Sequence, residues 1–207
     1  MDPISVTADA EEFTCNAYLV PGEVPTLVDV GTMPGVEDVI AEHVETIDRV
    51  VLTHQHADHV GELEAVFDAF DPELYAYGDH PRRDVELTDG STIRIGDERC
   101  EVVYTPGHAA DHVSFVGEGR LYSGDVVVYN DGAFENGSFG RTDMAGQSRE
   151  RLIASLEKLL DRLPETVSAM YAGHGDVYRS AAGEDTVREV VARALERARR
   201  GEPKYPE

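Results

Sequence analysis

Short apolar runs, each closed by turn-forming residues, dominate the first third of the chain. Residues 14–20 end at Pro21 and Gly22, and residues 26–30 end at Gly31, a pattern that predicts two strands paired with each other. Behind Pro34 the period lengthens to that of a helix, with Val36, Val39, Ile40, Val44 and Ile47 on one face. Residues 49–52 form the next strand. Val60, Leu63, Val66, Phe67 and Phe70 are the buried stripe of a second helix, stopped by Asp71 and Pro72. Residues 74–77 read as a strand and 78–88 as polar and irregular. Alternation returns in two hairpins, 91–95 with 98–104 and 113–116 with 120–123. From 126 to 146 no period survives and glycines recur, as in a long functional loop. Ser148 caps a helix whose face is Leu152, Ile153, Leu156, Leu159, Leu160 and Leu163, with Pro164 as its stop. Residues 166–171 predict a strand. Val187, Val190, Val191, Ala194, Leu195 and Ala198 predict the last helix, followed by a charged tail that frays after Arg199.

The order of elements repeats coarsely: strands, helix, strand, polar loop, helix, and then strands, helix, strand, His174, helix. This predicts two similar halves sharing one site at their junction. No linker or low-complexity segment divides the chain, so residues 1–207 read as a single domain.

Composition narrows the picture. A net charge of −23 arises from 41 acidic against 18 basic residues, and among the basic ones only Lys158 and Lys204 are lysines. Such a surface repels phosphate backbones, which argues against a nucleic-acid partner. The 41% hydrophobic content and the clear periodicities argue against disorder. Acidity of this degree suits high ionic strength, where self-repulsion is screened, and resembles the composition of proteins from extreme halophiles. No stretch is apolar for long enough to span a membrane. The first residues carry no secretory pattern, so a cytoplasmic location is expected. Cys15 and Cys100 are expected to be reduced core residues.

The chemistry concentrates after the apolar run 50–52, where Thr53, His54, Gln55, His56, Ala57, Asp58 and His59 follow in sequence. On a helix, residues two apart do not share a face, so His54 and His56 converge on one ion only if they leave a strand end on a loop. Further strands end the same way, in Gly107 and His108, Gly124 and Asp125, and Gly173 and His174. Glycine lets the backbone turn sharply and approach an ion. With these strand ends on one edge, His54, His56 and His108 hold one metal and Asp58, His59 and His174 another. Asp125, with two oxygens, bridges them. Nitrogen and oxygen donors without cysteine fit zinc, iron or manganese. Two ions about 3.5–4 Å apart lower the pKa of a shared water and supply hydroxide, with Asp58 placed to relay a proton. Asp29, at a strand end, reads either as an ordinary terminal residue or as the partner that holds a ligand imidazole. Arg141, in the glycine-rich loop, reads as an anchor for substrate or loop. His43 and His80 read as ordinary surface or loop residues, and His112 as a structural hydrogen-bonding residue or a support for a ligand.

These motifs together resemble the metallo-β-lactamase fold, a four-layer αββα sandwich, over nearly the whole chain from Asp29 to His174. Within it, the segments 105–108, 123–125, 140–143 and 173–175 most resemble the glyoxalase II-like thioester hydrolases, although Asp111 stands where that group has glycine. The resemblance implies a binuclear metallo-hydrolase, with zinc the first expectation, acting on a small thioester. Persulfide dioxygenases share the motifs and use one iron, held by the residues matching His54, His108 and Asp125. Lactone hydrolysis is a further activity of the same fold.

Overall fold

The computed structural model describes residues 2–202. One six-stranded sheet runs in the order β1 (Ile4–Ser5), β2 (Tyr18–Val20), β3 (Thr26–Val28), β4 (Arg49–Val51), β5 (Glu73–Ala76), β6 (Val85–Glu86). The second contains β7 (Thr92–Ile95), β8 (Glu98–Tyr104), β9 (Val113–Val116), β10 (Arg120–Gly124), β11 (Ala169–Ala172) and β12 (Tyr178–Arg179), in the spatial order β12-β11-β10-β9-β8-β7. Both sheets are mixed: β2 and β3 pair, as predicted, in antiparallel orientation, β3, β4 and β5 run parallel, and β10 lies parallel to β11. The helices are α1 (Val36–Ala41), α2 (Ala57–Val60), α3 (Leu63–Phe70), α4 (Arg149–Arg162) and α5 (Val187–Arg199).

The layering follows from which face each strand residue takes. Tyr18, Val20, Val28 and Val51 of the first sheet pack with Val102, Phe115, Tyr122 and Tyr171 of the second, forming the core between the sheets. Their neighbours Leu19, Leu27, Val50 and Leu74 turn the other way and meet Val36 and Ile40 of α1 and Leu63, Val66 and Phe67 of α3. On the far side, Val103, Val116, Leu121 and Met170 meet the apolar stripes of α4 and α5. Each sheet is buried on both faces, which is why its strands read as short apolar runs. The result is the αββα sandwich.

Local signals account for most element ends. Ser148 caps α4 by accepting from Arg151 N–H, and Thr186 with Glu189 closes a capping box on α5. The structure departs from the periodicity in places. Helix α1 ends at Ala41, short of Val44 and Ile47; Ile47 still reaches the core from the irregular segment before β4. The predicted second helix is interrupted, as α2 and then α3. Strands β1, β6 and β12 are two-residue edges, too short to show a period. Part of 126–146 is core rather than loop: Val126, Val127 and Phe139 are fully buried, and Val128 bridges Ser138. Of the tail expected to fray, residues 203–207 lie outside the described residues.

Candidate metal centre

Four strand ends deliver the chemistry to one edge of the sandwich. Strand β4 leads to His54, β8 to His108, β10 to Asp125 and β11 to His174. His56 N-caps α2, whose first turn carries Asp58 and His59. The structure therefore brings together every predicted ligand; His56, Asp58, His108, Asp125 and His174 line a cleft of about 580 Å³ together with Arg141, while His54 and His59 are buried. Ligand nitrogens of His54, His56 and His108 lie within 4.8 Å of one another, as do atoms of Asp58, His59 and His174, and of His54, His59 and Asp125. Asp125 sits between the groups: its Oδ2 is 3.3 Å from His108 Nε2 and 3.4 Å from His174 Nε2, and its Oδ1 is 3.5 Å from His59 Nε2. His174 Nε2 also lies 3.1 Å from Asp58 Oδ2, and His56 Nδ1 is 2.9 Å from His108 Nε2.

Asp29 organises the floor of this cluster. Its backbone, at φ 55°, is left-handed, a conformation costly for a residue with a side chain. Its Oδ1 accepts the backbone N–H of Thr53 at 2.8 Å, and its Oδ2 accepts the Thr53 hydroxyl at 2.7 Å and His59 Nδ1–H at 2.9 Å. The Thr53 hydroxyl proton being committed to Asp29, Thr53 Oγ1 is left to accept from His54 Nδ1–H at 3.1 Å. One carboxylate thus fixes two imidazoles with their Nε2 atoms toward Asp125. His108 Nδ1–H is held by the Arg141 carbonyl at 2.9 Å.

The cluster has the signature of a cation site. His54 Nε2, His59 Nε2 and Asp125 Oδ1 are buried and accept or donate no hydrogen bond. Leaving three such atoms together unpaired is costly, and a cation at their convergence removes the cost. The residues present fit divalent metal. Burial pushes the pKa of His54 well below its ordinary value, keeping the ring neutral as a ligand requires. Burial also opposes the charge on Asp125, but His174, His59 and His108 around it outweigh burial and hold its carboxyl well below the usual range. His59 feels burial as a downward push that its anionic surroundings more than reverse. The nearby Cys15 thiol is itself pushed up to about 11 by burial and is neutral near pH 7, so Asp29 and Asp125 are the charges His59 meets.

Supporting residues surround the ligands: His112, read from the sequence as a structural or supporting residue, and others that the sequence pattern hid. Asn16 donates to the carbonyls of Ala172 and Gly175 at 3.0 and 2.9 Å, clamping the turn that presents His174. His112 accepts the backbone N–H of Asp125 at its Nε2, at 2.9 Å, while its Nδ1 meets Thr105 Oγ1 at 2.8 Å; burial lowers its pKa to about 3. Asp111 accepts from Gln55 Nε2 at 3.1 Å, tying the histidine loop to the segment after His108. An asparagine inside an apolar run was the one sequence signal available for Asn16. Arg141 contributes its carbonyl, whereas its guanidinium, on the rim, pairs with Asp143 at 2.9 Å through both nitrogens. His43 is exposed, and His80 makes local contacts, its Nδ1 accepting Arg82 N–H and its carbonyl Arg83 N–H, so neither joins the cluster.

Hydroxyacylglutathione hydrolase of Vibrio cholerae serotype O1 is 32% identical over 152 residues, covering 72% of this chain and 56% of that protein. The chain thus matches little more than half of that relative's length. Among solved structures, ETHE1 from Myxococcus xanthus superposes with a TM-score of 0.73 at 22% identity, covering 100% of this chain and 93% of that one. TTHA1623, solved in a di-iron-bound form, gives 0.69 at 26% identity, with coverage of 94% and 98%. The family model described as the metallo-beta-lactamase superfamily matches residues 10–80 and 72–174, a span that takes in Asp29 and every histidine and carboxylate of the cleft. With the sandwich, the convergent strand ends and this match in agreement, the chain belongs to the metallo-beta-lactamase superfamily.

Proposed function

We propose that this chain is a metal-dependent hydrolase of a small thioester, with His54, His56 and His108 holding one divalent ion, Asp58, His59 and His174 a second, and Asp125 shared between them. The observation that carries the reading is the convergence of the buried, unpaired atoms His54 Nε2, His59 Nε2 and Asp125 Oδ1 beside a cleft that Asp125 itself lines. The relative named hydroxyacylglutathione hydrolase supports the thioester class. Zinc is the expected metal. Iron and manganese accept the same donors, and the di-iron form of TTHA1623 supports iron as the alternative. When bound, such ions activate water and polarise a carbonyl oxygen.

The protein's own groups do the rest. Asp29, through Thr53 and directly, keeps the His54 and His59 protons on Nδ1. Asp58, whose Oδ2 faces His174 at the cleft, is placed to take a proton and pass it to the departing thiolate. The Arg141 side chain stands at the rim to meet a polar end of the substrate, in exchange for part of its pairing with Asp143. The free, buried Cys15 and Cys100 suit a reducing compartment such as the cytoplasm, and no helix of the described residues is long and apolar enough to cross a membrane.

Metal content of protein purified in high salt without added metal, together with turnover of a thioester panel, tests the proposal. About two zinc ions per chain are expected. His56→Ala and Asp58→Asn are expected to abolish hydrolysis, and unchanged turnover in both variants overturns the reading. About one iron, with oxygen consumed in the presence of a persulfide, replaces it with dioxygenase chemistry at His54, His108 and Asp125.

A further inference from the structure

Two large apolar side chains stand exposed among the described residues, Phe13 at 77% and Met144 at 55%. Scattered apolar residues on a surface carry no message. These two are not scattered: both line the cleft that holds His56, Asp58 and His174, although they come from segments far apart in the chain. Nor does either hang loosely. The Phe13 ring stacks on the His174 imidazole, with centroids 5.2 Å apart and planes 14° from parallel. Its carbonyl accepts the Thr32 hydroxyl at 3.1 Å, and the adjacent Thr14 Oγ1 accepts Thr32 N–H at 2.8 Å. Met144 sits in a turn closed from both sides by Gln147: the Met144 N–H donates to Gln147 Oε1 at 3.0 Å, and Gln147 N–H donates to the Met144 carbonyl at 3.1 Å.

We propose that Phe13 and Met144 form an apolar subsite for a hydrocarbon arm of the thioester, so that the substrate class is a thioester bearing an alkyl or aryl group of several carbons. Phe13 supplies a flat face already aligned beside His174. Met144 supplies an unbranched, polarizable side chain that adapts to arms of different shape. Burying the arm removes two exposed hydrophobic surfaces from water on a protein that otherwise covers itself in charge. The arm is attached on either the acyl side or the sulfur side of the scissile bond; the chemistry recognised is the same, and substrates extended on one side or the other separate the two. This inference rests on the thioester reading above.

The test compares kcat/KM of the metal-loaded protein for acetyl, butanoyl and hexanoyl thioesters of N-acetylcysteamine, and for S-hexyl thioacetate. A second, non-catalytic measurement titrates the metal-free protein calorimetrically with S-hexyl-N-acetylcysteamine, a thioether with no thioester to cleave. Hexanoyl is expected to exceed acetyl by at least about tenfold if the arm is acyl, and S-hexyl thioacetate to do so if it is on sulfur. Phe13→Ser and Met144→Gln should each shrink that ratio several-fold and weaken thioether binding. Equal kcat/KM across the series, with neither variant altering the ratio or the binding, overturns the subsite and leaves the hydrolase reading standing. Thioether binding that depends on Phe13 and Met144, in a protein that cleaves no thioester, overturns the hydrolase reading and keeps the subsite.

Discussion

Asp29 Oδ2 lies 2.9 Å from His59 Nδ1, and the aspartate reaches it only by holding its own backbone at φ 55°. The strained conformation persists because the same carboxylate accepts from Thr53 twice. Asn at this position tolerates the left-handed backbone, so Asp29→Asn tests the hydrogen bonds without altering the turn. Its amide nitrogen in place of Oδ2 faces two donors, the Thr53 hydroxyl and His59 Nδ1–H. Relief comes by moving the His59 proton to Nε2, which removes the lone pair on the side of Asp125. Metal affinity is expected to fall roughly 10–100-fold, measured by competition with a chromophoric chelator. Unaltered affinity would show that His59 does not need this partner.

Two glycines beside the predicted ligands separate metal binding from folding. A Cβ on Gly173 overlaps Asp125 Oδ1 and comes 2.9 Å from His59 Cε1, whereas one on Gly107, at φ +141°, comes 2.6 Å from Leu152 Cα in α4. The first obstacle is the tip of a side chain; the second is backbone. Gly173→Ala is expected to lower metal content sharply with a small change in the melting temperature of the metal-free protein. Gly107→Ala should destabilise the metal-free protein by about 1–3 kcal/mol, read by urea denaturation. The reverse ranking would contradict the geometry.

The contrast between these glycines and Arg141 shows what a sequence can and cannot display. His54, His56, Asp58 and His59 were legible because so many donors in one loop have no packing rationale. His108, Asp125 and His174 were legible because each follows a glycine at a strand end. The layers are not legible in the strands themselves, because Leu19 and Val20, or Val50 and Val51, take opposite faces yet are all buried; the αββα order follows from the family resemblance. Backbone roles leave no such mark. The Arg141 carbonyl orients His108, a task any residue could perform, so the sequence drew attention to the guanidinium instead. The consecutive burial of Val126, Val127 and Val128 has neither period and so resembled loop. The two-residue edges β1, β6 and β12 are set by pairing with a neighbour rather than by their own pattern.

The surface charge predicts a salt response. With 41 acidic residues against 18 basic ones, like-charge repulsion favours the expanded chain, and salt screens it over about 10 Å at 0.1 M and about 3 Å at 1 M. The melting temperature is expected to rise from 0.1 M to 1 M KCl. Each 1 kcal/mol of relief is worth roughly 2–4 °C in a chain of this size. Sodium chloride should act as well as potassium chloride if screening is the cause. A flat or falling melting temperature would remove the high-salt reading of the composition.

Cys100 provides a stability term whose sign is fixed by burial. It is fully buried in the core between the sheets, and burial, helped by Glu98 and opposed by Arg120, pushes its thiol from an ordinary 9.0 up to about 12. Above pH 9 the unfolded chain releases this proton while the folded protein keeps it, so the unfolded state binds fewer protons and stability falls as pH rises. The stabilisation is fully present below pH 9 and is lost between 9 and about 12, at about 1.4 kcal/mol per pH unit. Other buried acids, Tyr122 among them, add slopes of the same sign, so the informative quantity is a difference. Cys100→Ala has no proton to release, and the gap in unfolding free energy between it and the parent protein should narrow by about 2 kcal/mol from pH 8 to pH 10.5. Urea denaturation at the two pH values measures that gap. A gap independent of pH would show that the folded and unfolded thiols titrate together and would remove this contribution.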